Sequence, residues 1–216
     1  MGNLNEQVTI IEGLKWPIAD ATSFSGQKPE LTSHIEVMKY VHNRSVLVQA
    51  GGNCGMVLNT FVQYFDTVYT FEPDAVNFYC LNQNITDSRV IKIQGCLGNT
   101  STTVNLQMRE GHRDIGSFYV TGLGKIPVFK LDDLHLYDCG LIFLDVEGYE
   151  HNALLGSINT IEKYKPAIFL EMCEGWLNTQ NTSAERLTAF LISLGYKQIP
   201  NIPLGANQLW IHVSYT

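Results

Sequence analysis

The apolar positions of the chain fall into two rhythms that alternate. Val46-Leu47-Val48-Gln49-Ala50 is an apolar run of β type that stops abruptly in Gly51-Gly52-Asn53-Cys54-Gly55. Met56, Val57, Phe61, Val62 and Phe65 then mark one face of a helix reaching about Phe65, and Thr67 to Phe71 reads as a second strand. Pro73 suits the first turn of another helix, which carries Val76, Phe78, Tyr79 and Leu81 to about Ile85. Val90 to Ile93 is a third strand. Strand and helix alternating over short links predict an α/β protein whose parallel sheet is covered on both faces.

Upstream, Leu31, Ile35, Met38 and Val41 predict an amphipathic helix over 29–43, and residues 1–28 read as an N-terminal extension packed on a single domain spanning 29–216. The stretch from Gly95 to Pro127 breaks the rhythm and predicts a long functional loop with one short strand near 102–106. Ile126 to Phe129 reads as a strand and Leu131 to Leu134 as a helical turn. Gly140 to Val146 is the most apolar strand, followed by one helix through Leu154, Leu155, Ile158 and Ile161. Pro166 to Glu171 is the next strand, and its helix, about Ser183 to Leu194, stops at Gly195. The strands at 196–199 and 208–213 are joined by a Pro/Asn/Gly loop too short for a crossover helix, so the chain closes on an antiparallel pair.

Composition narrows the class. The 216 residues carry a net charge of −7, which argues against holding long nucleic acid through phosphate contacts. No run is long and apolar enough for a membrane span and no secretory leader is visible, so a cytoplasmic protein is expected. Cys54, Cys80, Cys96, Cys139 and Cys173 show neither CxxC nor metal-type spacing and read as reduced thiols in or near the core.

Each polar landmark sits at the carboxyl end of a strand, where open α/β sheets bind ligands. These are the glycine turn, Glu72, Gly95-Cys96, Asp145 with Glu147, and Glu171. A glycine turn between strand and helix offers backbone N–H groups to a ligand without a Cβ in the way. An acid about twenty positions further on is where such a unit binds ribose hydroxyls.

Taken in order, Gly51-Gly52-Asn53-Cys54-Gly55, Phe71-Glu72-Pro73-Asp74, Leu131-Asp132-Asp133-Leu134, Leu144-Asp145-Val146-Glu147-Gly148-Tyr149-Glu150 and Pro166 through Glu171 resemble the motif set of FkbM-type S-adenosylmethionine-dependent methyltransferases. The resemblance spans roughly 45–213 and implies a Rossmann-like class I fold, with a seven-stranded, mostly parallel sheet whose last strand is antiparallel. It also implies methyl transfer to oxygen, on a sugar, glycan or small metabolite. It assigns Gln49, Gly51, Gly52, Asn53 and Gly55 to the methionine side of the cofactor, Glu72 and Pro73 to the ribose, and Cys96 and Leu97 to the adenine. Asp145, Glu147 and Glu171 are then the catalytic candidates. The chain departs from the family at Gln49, where an acid is usual, and at Phe143, where a Lys is frequent.

Methyl transfer from a sulfonium to oxygen needs donor and acceptor aligned and the hydroxyl proton removed. Asp145, Glu147, Glu171 and His151 are the residues able to take that proton, although His151 reads more readily as a helix-surface histidine. Crowded acids can also hold a divalent cation, the less favoured reading. Ser117 could serve a substrate loop or an ordinary turn, and Trp16 and Trp176 read as packing. Two other functions stay open: an NAD-dependent oxidoreductase, disfavoured because the G-x-G-x-x-G spacing is missing, and a non-catalytic S-adenosylmethionine-binding module, motivated by Gln49.

Overall fold

The structure is a computed structural model that describes residues 4–20, 24–25, 31, 34–108, 116–200, 202 and 205–215. Its centre is a seven-stranded sheet of β3 (Val46–Ala50), β4 (Thr67–Phe71), β5 (Val90–Ile93), β9 (Leu141–Leu144), β10 (Ala167–Glu171), β11 (Tyr196–Gln198) and β12 (Asn207–His212). The order across the sheet is β11-β12-β10-β9-β3-β4-β5. Pairing is parallel from β10 to β5, while β12 runs antiparallel to both β10 and β11. This is the predicted sheet, with the predicted antiparallel close.

Alternation along each strand explains why the apolar runs look continuous. Val46, Val48, Ala50, Ile142, Leu144, Ile168 and Leu170 feed one core. Leu47, Leu141, Phe143, Ala167 and Phe169 feed the other. Side chains of period 2 therefore bury both faces, as a sheet covered by helices on each side requires. Gln49 pairs in register with Thr70 on one side and Phe143 on the other, so a polar residue sits in the middle of the sheet near its carboxyl edge.

The helices start where their caps dictate. Asp74 accepts from the N–H groups of Val76 and Asn77, both at 2.9 Å, and opens the Ala75–Asn84 helix. Pro73 therefore stands just ahead of the cap rather than inside the first turn. Ser183 caps the Ala184–Ser193 helix, and Gly195 follows its end at φ +81°.

Three expectations need correction. The region from Gly95 to Pro127 is no open loop: β6 (Cys96–Leu97), β7 (Thr102–Met108) and β8 (Phe118–Phe129) form a second sheet of order β6-β8-β7, in which β7 and β8 pair antiparallel around a bulge at Val104. Residues 109–115 of that stretch lie outside the described residues. The single helix after β9 is two, Glu150–Leu155 and Ile158–Tyr164, because Gly156 packs so closely under the backbone of Gly98 that a Cβ would lie 1.9 Å from its carbonyl oxygen. The helix expected over 29–43 gives way to a 3-10 turn at Val37–Lys39 and ends there; 26–30 and 32–33 lie outside the described residues.

Near the N-terminus, β1 (Val8–Ile11) and β2 (Leu14–Pro17) form a hairpin. Glu12 and Gly13 both have positive φ at its two-residue turn, the geometry that matches strand twist. The hairpin packs on the Ala75–Asn84 helix, with Trp16 fully buried against Phe24. No helix among the described residues is long and apolar enough to cross a membrane.

Candidate active site

A cavity of about 400 Å³ opens along the carboxyl edge of the sheet, where β3 and β9 lie side by side and the strand order reverses. Gln49, Gly51, Gly52, Asn53, Glu72, Pro73, Cys96, Leu97, Asp145, Glu147 and Glu171 all line it. Gly55 does not: it precedes the Met56–Phe61 helix at φ +87°, turned toward the side chains of Ile85 and Leu81. His151 is also outside, with Nδ1 3.2 Å from the Thr182 hydroxyl and its ring against Phe190.

The glycine turn works differently from the expectation. Its N–H groups are all used within the protein. Gly51 and Gly52 donate to the carbonyl of Phe71 at 3.0 and 2.9 Å, and Gly55 donates to the carbonyl of Gly52 at 2.9 Å. Asn53 donates to Glu72 Oε2 at 2.7 Å, and Cys54 to the side-chain oxygen of Asn53 at 2.6 Å. The helix that follows has only six residues. The turn is therefore a seat for Glu72 rather than a row of donors facing a ligand. Gly51, at φ +88°, has a further reason to lack a side chain, since a Cβ there would lie 1.9 Å from the carbonyl oxygen of Asp145. That close approach brings the ends of β3 and β9 together.

Glu72 is 5% exposed and its other oxygen, Oε1, accepts from the N–H of Asp74 at 2.8 Å. Burial pushes its carboxyl up to about 8, against the pull of the Asp74 and Asn53 N–H groups. The Asn77 side chain also hydrogen-bonds this carboxyl and pulls its value down. Beside it, burial pushes the Cys96 thiol up to about 12, so that thiol is neutral and acts as an apolar wall.

Toward the middle of the sheet the cavity changes character. One carboxylate oxygen each from Asp145, Glu147 and Glu171 lie within 4.8 Å of one another, gathered from the turn after β9 and the end of β10. Oxygen ligands at this spacing suit a hard divalent cation as well as proton transfer. Gln49, 1% exposed, accepts from the Thr70 hydroxyl at 3.0 Å and shares the cavity lining with this cluster.

Behind the cluster lies an acid absent from the sequence-level candidates. Glu150 is 1% exposed, and its Oε1 accepts from the N–H groups of Val146 at 3.0 Å and Gly148 at 3.4 Å. Burial pushes its carboxyl up to about 7; backbone N–H groups pull it down and the Asp145 charge adds to the rise. The rest of the lining is mostly apolar, with Asn77 and Tyr149 as its polar members and with Leu106, Phe118 and Val120 from the second sheet beside Met56, Val57 and Phe143. The alternation Phe118-Tyr119-Val120 was the available signal for these, obscured by the glycines and proline that follow. Trp176 is buried and its ring lies 6.2 Å from that of Tyr119, outside the cavity lining.

A parallel sheet ending in an antiparallel strand, a glycine turn at the switch point and an acid at the end of the next strand define a class I methyltransferase fold. The chain belongs to the FkbM methyltransferase domain family, whose model matches residues 57–197. Its fold is similar to that of a methyltransferase FkbM from Methylobacillus flagellatus KT, at 19% identity and a TM-score of 0.53, covering 78% of this chain and 44% of that one. The chain thus spans less than half the length of that protein. A ribosomal protein L11 methylase from Lactobacillus delbrueckii subsp. bulgaricus is similar at 9% identity and a TM-score of 0.50, covering 86% of this chain and 78% of that one. A comparison with curated proteins finds no match.

Proposed function

We propose that the chain uses S-adenosylmethionine to methylate a hydroxyl oxygen of a small neutral molecule, a sugar, glycan or related metabolite. The observation that carries this reading is the use of every N–H of the glycine turn inside the protein, with Asn53 spent on Glu72. A dinucleotide needs such N–H groups for its pyrophosphate, whereas S-adenosylmethionine has no phosphate to bind. Among the described residues the cavity has four carboxylates and no Lys, Arg or His in its lining, which further disfavours a phosphate-bearing ligand.

The residues fit the cofactor. Glu72 supplies a buried carboxyl for the ribose; hydroxyl donors there add to the Asp74 and Asn53 N–H groups that already pull its value down, so binding favours the ionised form, whose charge-assisted bonds are the strong ones. Cys96 and Leu97 offer the adenine an apolar wall. Glu72 and Glu171 belong to strands three places apart in the sheet, a separation of roughly 14 Å at the usual strand spacing, enough for an adenosine at one end and a reacting oxygen at the other. When bound, the cofactor supplies an activated methyl group on a sulfonium. The protein holds the acceptor oxygen in line with it, and Asp145, Glu147 or Glu171 takes the hydroxyl proton. The same three carboxylates could carry a divalent cation, and the reading does not require one. In this reading 29–216 is the methyltransferase domain and 1–28 an extension packed on it, in a cytoplasmic protein.

Calorimetry with S-adenosylmethionine and with NAD tests the cofactor. Micromolar binding of the first and none of the second is expected; tight NAD binding with no S-adenosylmethionine signal overturns the reading. Methyl release is then followed over a panel of sugars and polyols, and cofactor binding without turnover on any of them would favour a binding module.

A further inference from the structure

We propose that Glu150, which does not line the cavity, is the positioning residue that sets where Asp145 and Glu147 stand. The inference rests on the cofactor reading above only for its binding readout. The turn 145–149 is an improbable conformation for its sequence, with Glu147 at φ +52° and Gly148 at φ +95°. A non-glycine residue in the left-handed region persists only where its surroundings impose it. Two anchors are shared with neighbouring elements: the Asp145 N–H donates to the carbonyl of Ala50 at 3.0 Å, and Gly148 lies so near Trp176 that a Cβ would fall 2.3 Å from its carbonyl oxygen. The third anchor is Glu150, whose Oε1 takes the N–H groups on either side of Glu147. One oxygen atom thereby ties the 145–146 and 147–148 peptide units, which bracket the stretch of the turn that carries Glu147.

The same turn abuts the cofactor side, because the Asp145 carbonyl oxygen occupies the place a Gly51 Cβ would take. A turn that relaxes moves into the space beside Gly51. The second oxygen, Oε2, is buried without a hydrogen-bond partner, so the anchoring depends on an acceptor atom at Oε1 rather than on both halves of an ionised carboxylate. A glutamine presents that acceptor with the same reach. An alanine leaves two buried N–H groups unpaired, which a folded chain relieves by rearranging.

The test titrates the full chain calorimetrically with S-adenosylhomocysteine as Glu150→Ala and Glu150→Gln. Affinity at least tenfold weaker in Glu150→Ala, restored to within threefold of the parent in Glu150→Gln, supports the proposal. Unchanged affinity in Glu150→Ala overturns it, as does a Glu150→Gln variant as weak as Glu150→Ala. Should Glu150→Ala fail to fold, Glu150→Asp takes its place, since it keeps the charge but withdraws the oxygen by one methylene; binding as weak as tenfold below Glu150→Gln supports the proposal and equal binding overturns it. A parent that does not bind S-adenosylhomocysteine refutes the cofactor reading alone. Crystal structures of the two variants then decide the positioning role: the 145–148 turn moves in Glu150→Ala and stays in Glu150→Gln, or the proposal falls.

Discussion

At the Glu72 end of the cavity a single carboxylate is seated by two backbone N–H groups at 2.7 and 2.8 Å and almost wholly buried. At the Asp145 end, three carboxylates converge from two strand ends, and the acid that holds their turn stands behind them. The first arrangement has its geometry built in before any ligand arrives, which suits the part of a cofactor that never changes. The second brings proton-accepting groups around one point and walls it with apolar side chains from the separate β6-β8-β7 sheet. In that sheet β7 and β8 share no strand pairing with the central sheet, while β6, paired with β8, carries Cys96 and Leu97 into the lining beside Glu72.

The contrast can be broken most decisively at Asp145. Asp145→Ala should lower methyl transfer about a thousandfold, within the range for losing a general base, while affinity for S-adenosylhomocysteine stays within about threefold of the parent. Full activity in that variant removes Asp145 from the mechanism. The reciprocal change, Glu72→Gln, should weaken S-adenosylhomocysteine binding about a hundredfold, since an amide cannot ionise to strengthen its bonds to the ribose. A change under threefold in calorimetry would mean that the ribose is held elsewhere. Phe118→Ala should raise the acceptor KM about tenfold, in proportion to the apolar area it contributes, and leave cofactor affinity alone; an equal loss of both would merge the two ends into one site.

The smallest expected effect is on stability, and it separates the buried acids by pH. Glu72 and Glu150 have folded-state values of about 8 and 7, above the ordinary carboxyl value of 4.5. Between those limits the folded chain binds more protons than the unfolded one. Stability of the ligand-free protein therefore falls as pH rises from about 5 to 8. Calorimetric melting points should drop by several degrees over that window, and Glu72→Gln should flatten the decline above pH 7. A melting point that climbs steadily with pH would contradict the burial of both groups. Glu72→Gln would then be a variant that gains stability in alkali while losing its ligand, a trade expected where a binding group is kept under strain.

Much of this was legible in the pattern of residues. The runs at 46–50 and 167–171 fall within a residue of strands buried on both faces, and those at 67–71 and 90–93 match strands only partly covered, Ile91 being 42% exposed. Glu72 was readable from its place after the second strand. The 95–127 region was not, because β7 exposes Thr103, Asn105 and Gln107 on one side and β8 contains Gly122, Gly124 and Pro127, so an edge hairpin looks like a loop. The break at Gly156 depends on Gly98, distant in the chain and unpatterned. Glu150 is not legible as a functional acid from the sequence, since no local spacing says that Glu147 turns left-handed and that the Glu150 carboxyl reaches back to the N–H of Val146. The glycine turn reads as a row of donors for a ligand because its partners, Phe71, Glu72 and the turn itself, are set by the tertiary fold and by the turn's own geometry.

Asn84 ends the helix that Asp74 begins, and its side chain touches three things at once. Its Oδ1 accepts from the Lys15 N–H at 2.7 Å, and its Nδ2 donates to the carbonyls of Lys15 and Cys54 at 2.9 and 2.8 Å. One amide thus splices the N-terminal hairpin to the far side of the turn that seats Glu72. Together with Trp16, which shares an apolar cluster with Cys54, Met56 and Cys80, it makes the β1-β2 hairpin a brace behind that turn, and on the proposed role of Glu72 removal of the hairpin should weaken cofactor binding.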